Sequence, residues 1–135
     1  MKLPARSSGP WVVGVGIDLA DVARLEAAMG RRAGVAGRLF TAGELEVLDT
    51  VDALAVAQRF AAKEAVMKAL GVGIDSVSFT DIDLGAAIDT VELSGRARQR
   101  AAELGATHFT LEVGTADGPD GPVATAEVIA SSTVA

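Results

Sequence analysis

Cysteine is absent from the 135 residues, so a disulfide frame, a thiolate metal site and a cysteine nucleophile are all excluded. Histidine occurs once, at His108, which leaves a protease-like triad without material. No apolar run approaches the roughly 20 residues of a membrane helix. The most apolar, Trp11 to Ile17, is interrupted by Gly14 and Gly16. Excess positive charge is lacking too: the net charge of −6 argues against nonspecific nucleic-acid or anionic-membrane binding, both of which need a basic surface. Met1 to Pro10 carries Lys2 and Arg6 but no apolar core, and reads as a flexible leader instead of a secretory signal. A cytoplasmic location is expected.

What remains is half hydrophobic, enough for one core and short for two, so residues 11–135 are expected to form a single domain. Charge is unevenly spread. Up to Lys68 there are nine basic and eight acidic residues, a balance of +1, and beyond it three and ten, a balance of −7. Arg24, Arg31, Arg32 and Arg38 could therefore form a positive patch for an acidic partner, or simply a solvated helix face.

The most informative stretch is Arg59-Phe60-Ala61-Ala62-Lys63-Glu64-Ala65-Val66-Met67-Lys68-Ala69-Leu70-Gly71. Strong helix formers without proline, followed by Gly71 and Gly73, predict a helix over 55–70. Glu64 and Lys68 fall one turn apart beside an alanine-rich apolar stripe. Two readings compete. One is a surface ion pair worth ~0.2–0.5 kcal/mol. The other is chemical, with Glu64 holding a hard cation through oxygen while Lys63 and Lys68 neutralise phosphate.

Trp11 to Ile17 alternates as a strand ending at Asp18, with glycines on the face that a helix or ligand could approach. Leu19 stands where a dinucleotide fingerprint needs its third glycine, which disfavours that reading. Asp18 is either the cap of a helix bearing Val22, Leu25 and Met29 or a second carboxylate facing Glu64, an arrangement that would suit magnesium and phosphate. After a glycine-rich break at 30–37, Thr41 and Glu44 form a capping box for a short helix ending near Leu48. Period-two patterns over Val77–Leu84 and Ile88–Leu93 suggest antiparallel strands, and Ser94 to Leu104 a helix stopped by Gly105. Strands at 107–113 and 123–129 enclose residues 114–122, more than a tight hairpin needs, before a small polar tail.

Three blocks, Gly14-Val15-Gly16-Ile17-Asp18-Leu19, Phe40-Thr41 with Glu44, and Arg59-Phe60-Ala61-Ala62-Lys63-Glu64-Ala65 running on through Lys68 to Ile74, resemble in order and spacing the holo-(acyl-carrier-protein) synthases, small 4′-phosphopantetheinyl transferases. The resemblance covers nearly all the chain after Pro10. It implies an α+β fold, with a small antiparallel sheet packed by helices, and a homotrimer with active sites between subunits. It also implies a magnesium-assisted reaction in which a serine of an apo acyl carrier protein attacks the β-phosphate of coenzyme A and releases adenosine 3′,5′-bisphosphate. By this resemblance Asp18 and Glu64 are the metal carboxylates, Lys68 stabilises phosphate or donates a proton, and Lys63 supports phosphate binding. Arg24, with Arg31 and Arg32 as looser candidates, would face the acidic carrier.

The residue types agree with phosphoryl chemistry, which needs positioning and charge neutralisation more than a protein nucleophile. The base is left open among Glu64, Asp21 and water. Where many relatives carry Ser-His the chain has Glu112-Val113, and His108 is read as a structural or exposed strand residue. An Asn-Gly-x-Pro turn of relatives is replaced by Gly85-Ala86-Ala87-Ile88. That second departure alters a turn and not chemistry, whereas Glu112-Val113 and the long loop after it keep a runner-up in view, a catalytically impaired trimeric module that binds coenzyme A or carrier. A general nucleotide-binding module fits less well, because no phosphate-cradling loop is present.

Overall fold

The computed structural model describes residues 11–32 and 34–133. The expected leader and the last two residues of the tail lie outside these. Among these residues the architecture is α+β: a three-stranded antiparallel sheet in the order β1-β5-β4, a two-stranded ribbon β2-β3, and five α-helices.

Strand β1 (Trp11–Asp21) pairs with β5 (Gly121–Ser132), which pairs in turn with β4 (His108–Gly118). β1 does not stop at Asp18. Its ladder continues to Asp21 opposite Val123, because Leu19 and Ala20 keep the alternation of exposed and buried positions. Asp21, not Asp18, caps α1 (Val22–Arg31) by accepting a hydrogen bond from the Arg24 N–H at 2.9 Å. The irregular loop expected at 114–122 is also absent. β4 and β5 remain paired to Gly118 and Gly121, leaving Pro119-Asp120 as a two-residue tip, with Gly121 at φ 115°, where a side chain would be strained.

Between β1 and the ribbon run α2 (Val35–Leu39), α3 (Ala42–Leu48) and α4 (Ala53–Ala69). The capping box at Thr41 and Glu44 is formed as the sequence predicts. Strand structure in the next segment is shorter than its alternation suggests: β2 is only Ile82–Leu84 and β3 only Val91–Leu93. Ser78 accepts a hydrogen bond from the Thr80 N–H and so diverts Phe79–Asp81 into a 3-10 turn, while Ile88, at φ 54°, belongs to the connecting turn. The antiparallel pairing holds. Helix α5 (Gly95–Leu104) then leads into β4.

α4 lies across the sheet and is the centre of the core. Ala57, Ala61, Ala65 and Ala69, spaced by four, are buried against Ala124, Ala126, Val128 and Ala130 of β5. A Cβ at Gly14 or Gly16 would collide with the carbonyl oxygens of Ala69 and Ala65, so these glycines set how closely α4 approaches β1. Among the described residues no element covers the opposite face of the sheet: Val12, Val15, Ile17 and Leu19 are 55–62% exposed.

Candidate active site

The close approach of α4 to β1 joins residues 50 positions apart in sequence. Asp18 shares the helix-facing side of β1 with Gly16 and Ala20, and there meets Glu64 and Lys68 from adjacent turns of α4. Lys68 Nζ donates to Asp18 Oδ1 and to the Ile17 carbonyl, both at 3.1 Å. The Leu19 N–H donates to the same Oδ1 at 2.8 Å. Asp18 Oδ2 is buried and takes no hydrogen bond from a backbone or cationic donor. A proton on the neighbouring Glu64 carboxyl is the donor within reach.

The electrostatics follow from this crowding. Burial, then the hydrogen bond with Asp18 and its charge, push the Glu64 carboxyl up to about 8, with Lys68 acting in the opposite sense. Burial also raises Asp18, but hydrogen bonds from Glu64, Leu19 and Lys68, with the Lys68 charge, outweigh it and hold Asp18 below its ordinary value. One carboxyl is thus kept ionised and its neighbour is kept protonated. A hard cation between them would take the place of that proton at Asp18 Oδ2 and let both ionise, so the donor set fits one. Among the described residues no three His, Cys, Asp or Glu cluster as a metal site. Two carboxylates with the remaining positions left to phosphate oxygens and water is the sparse set magnesium accepts. Lys68 is half exposed, so its ammonium can turn from Asp18 toward an incoming phosphate.

Lys63 requires a correction. It is fully buried and ion-paired with Glu44, beneath the Phe40 ring at 5.4 Å, and not turned toward any space a phosphate could enter. Helical geometry explains the difference: Lys63 and Glu64 are adjacent and therefore about 100° apart around α4, so when one faces Asp18 the other faces α3. Burial lowers the pKa of Lys63, and the hydrogen bond and charge of Glu44 counter that in part. Glu44 is the residue whose importance the sequence reading missed. Beyond its capping bond from the Thr41 N–H at 3.1 Å, it accepts from Arg59 at 3.2 Å and from the Leu84 N–H at 3.3 Å. Arg59 in turn donates to the carbonyls of Leu84, Gly85 and Ala86 at 2.9–3.1 Å. The signal was available, since Arg59 and Lys63 stand at i and i+4 in an apolar helix and call for a buried anion.

Arg24, Arg31 and Arg32 are exposed on and after α1, and none joins the Asp18 cluster. His108 is exposed at the start of β4 opposite Ser131, and Glu112 faces outward opposite Glu127.

Comparison with known proteins agrees with this geometry. Residues 14–125 match the model of the 4′-phosphopantetheinyl transferase superfamily. A holo-[acyl-carrier-protein] synthase of Moorella thermoacetica is 39% identical over 103 residues, covering 73% of this chain and 80% of that protein. One from Micrococcus luteus is 37% identical over 123 residues, 88% and 91% of the two chains. The Helicobacter pylori holo-[acyl-carrier-protein] synthase, solved in complex with coenzyme A, superposes with a TM-score of 0.68 at 27% identity, covering 86% of this chain and 98% of that one. The chain belongs to the holo-(acyl-carrier-protein) synthase family, and is an enzyme of the 4′-phosphopantetheinyl transferase class.

Proposed function

We propose that the chain, acting as one domain over residues 11–135, transfers the 4′-phosphopantetheine of coenzyme A to a serine of an apo acyl carrier protein of fatty-acid or polyketide synthesis. The carrier serine oxygen bonds to the β-phosphorus, the bond from that phosphorus to the bridging oxygen breaks, and adenosine 3′,5′-bisphosphate departs with the electron pair. The observation that carries this reading is the convergence of Asp18, Glu64 and Lys68 at the seam of β1 and α4. Asp18 and Glu64 would hold Mg2+, which when bound supplies Lewis-acid neutralisation of the diphosphate. Lys68 neutralises phosphate charge as it builds on the leaving group. The base is open among Glu64, Asp21 and bound water; Asp21 is the weaker candidate, since its Oδ1 caps α1 and strand alternation turns it to the side of β1 opposite Asp18.

The binding-only alternative drew on an altered last hairpin. A continuous β4–β5 ladder with a two-residue tip removes the irregular loop from that argument, so turnover is the reading we adopt. A homotrimer built through the uncovered sheet face follows from the same reading, because Val12, Val15, Ile17 and Leu19 form a contiguous apolar strip on one strand. A neighbour would then complete the coenzyme pocket. We place the reaction in the cytoplasm, as a coenzyme A-consuming step; among the described residues no helix is long and apolar enough to cross a membrane.

Quantifying adenosine 3′,5′-bisphosphate tests the proposal. It should form from coenzyme A only when apo carrier is present, in equal amount to the carrier modified, and cease when EDTA is added. Release without carrier, or undiminished by EDTA, would contradict it.

A further inference from the structure

Two of the three motif blocks contribute charged residues that the Asp18 cluster does not use. Glu44, Arg59 and Lys63 are buried together on the side of α4 that faces α3 and the β2-β3 ribbon. Buried ion pairs of this kind seldom add stability over apolar residues of similar volume, so their presence calls for another reason. Both carboxylate oxygens of Glu44 are saturated. Oε1 accepts from the Thr41 N–H and from Lys63, and Oε2 from Arg59 and from the Leu84 N–H. One side chain therefore ties the start of α3, two successive turns of α4 and the strand β2 to a single point. Arg59 extends the tie by donating to the Leu84, Gly85 and Ala86 carbonyls.

What this point controls is the rotation of α4 about its own axis. Toward the sheet, α4 presents Ala57, Ala61, Ala65 and Ala69 to glycines and alanines of β1 and β5. Such small side chains let helix and sheet approach closely but give few ridges to interlock, so they fix the spacing better than the rotation. Between Arg59 and Glu64 the large side chains are Arg59, Phe60 and Lys63. Phe60 stacks on Phe79 with ring centroids 5.5 Å apart, a contact that tolerates sliding, whereas charge-assisted hydrogen bonds to one buried carboxylate are directional. Lys63 and Glu64 lie about 100° apart around the helix, so holding the first toward α3 holds the second toward Asp18. A rotation of about 10° moves a group ~6 Å from the axis by about 1 Å, a misplacement that can lower a rate by about 100-fold.

We propose that Glu44 is a positioning residue for the transferase site: by clamping Arg59 and Lys63 it sets the rotation of α4 that brings Glu64, with Lys68, to Asp18. It touches neither substrate nor metal. The inference rests on the metal-dependent transferase reading given above. It adds a role for the Phe40-Thr41 block with Glu44, which lies apart from the Asp18 cluster yet determines its geometry.

Binding of Mn2+ alone, without coenzyme A or carrier, tests this when followed by loss of the free-ion electron paramagnetic resonance signal and set beside steady-state transfer. The variants are Glu44→Gln, the double variant Glu44→Gln/Lys63→Met, and Leu104→Ala, which removes partly buried apolar contacts of α5 outside both clamp and site. Glu44→Gln should weaken Mn2+ binding and lower kcat by about tenfold each, with KM for the carrier within about twofold of wild type. The double variant no longer buries an ammonium without its anion, so it should recover thermal stability but neither Mn2+ affinity nor kcat. If Glu44→Gln does not fold, the double variant carries the same comparison. Leu104→Ala should lose thermal stability while Mn2+ affinity and kcat hold. Wild-type Mn2+ affinity and kcat in folded Glu44→Gln, or their return in the double variant along with stability, would reduce the clamp to a structural role and overturn the proposal. An equal loss in Leu104→Ala would overturn it too, by tracing the effect to stability in general. A wild type that transfers nothing would defeat the underlying reading, and this inference with it.

Discussion

Glu64 is a carboxyl whose folded environment favours its proton. Its contribution to stability in the metal-free protein is complete below its ordinary value of 4.5 and is lost as pH rises through about 8. Asp18, held low, acts in the opposite sense and loses its contribution only as pH falls through the acid range. The melting temperature of the metal-free protein should therefore fall from about pH 5 to about pH 9, and Glu64→Gln should flatten that decline. An identical slope in the variant, followed by circular dichroism, would locate the pH dependence elsewhere. Glu44 gives a second expectation. Glu44→Ala leaves Arg59 and Lys63 buried without their shared anion, which should cost ~3–5 kcal/mol in a denaturant titration. A loss below about 1 kcal/mol, the scale of an exposed pair, would show that the network contributes little. At this scale the sequence was partly legible. Type and spacing offered Asp18, Glu64 and Lys68 only as one of two readings, which the family resemblance decided, and could not tell which of the neighbours Lys63 and Glu64 faces inward, because that depends on where α3 and β1 lie around α4.

Among the elements, the seam between β1 and α4 positions the chemistry. Gly16 is the residue to change, because any side chain there meets the Ala65 carbonyl of the rigid helix backbone. Gly16→Val should push α4 outward, separate Asp18 from Glu64 and Lys68, and reduce transfer by at least about tenfold along with thermal stability. Normal transfer by a folded Gly16→Val protein would refute the view that close approach assembles the site. Helix α4 and the capping box of α3 could be read from local propensity. The ends of β1 and of the last hairpin could not, since β1 runs on to Asp21 and β4 to Gly118 through pairing with β5, a contact made across more than a hundred residues in the first case. Ser78 likewise shortened an apparent strand by offering its own hydrogen bond to the backbone.

For the whole molecule, the uncovered face of the sheet is the feature a lone chain leaves unexplained. In its middle Ile17, Glu127 and Glu112 stand side by side on neighbouring strands, which puts two carboxylates directly opposite each other. Like charges so placed repel, and covering them with another copy would add a desolvation cost. Glu127→Gln should therefore strengthen self-association, and Ile17→Glu should weaken it, as read by analytical ultracentrifugation across a dilution series. Unchanged association in both variants would remove this face from the assembly. Periodicity placed Val15 and Ile17 on this face but put Val13 there in place of Val12, because the bulge between Val12 and Gly14 breaks the alternation, and it could not tell that the face has no partner among the described residues.

The central claim, that Asp18, Glu64 and Lys68 form a phosphopantetheine-transferring site, is tested most directly by the intact mass of an apo acyl carrier protein after incubation with the protein, coenzyme A and magnesium. The account predicts a gain of one phosphopantetheine group on the carrier with wild type, and none on the same timescale with Glu64→Gln. A folded wild-type protein that leaves several carriers unmodified, or a Glu64→Gln variant that modifies them at the wild-type rate, would contradict it.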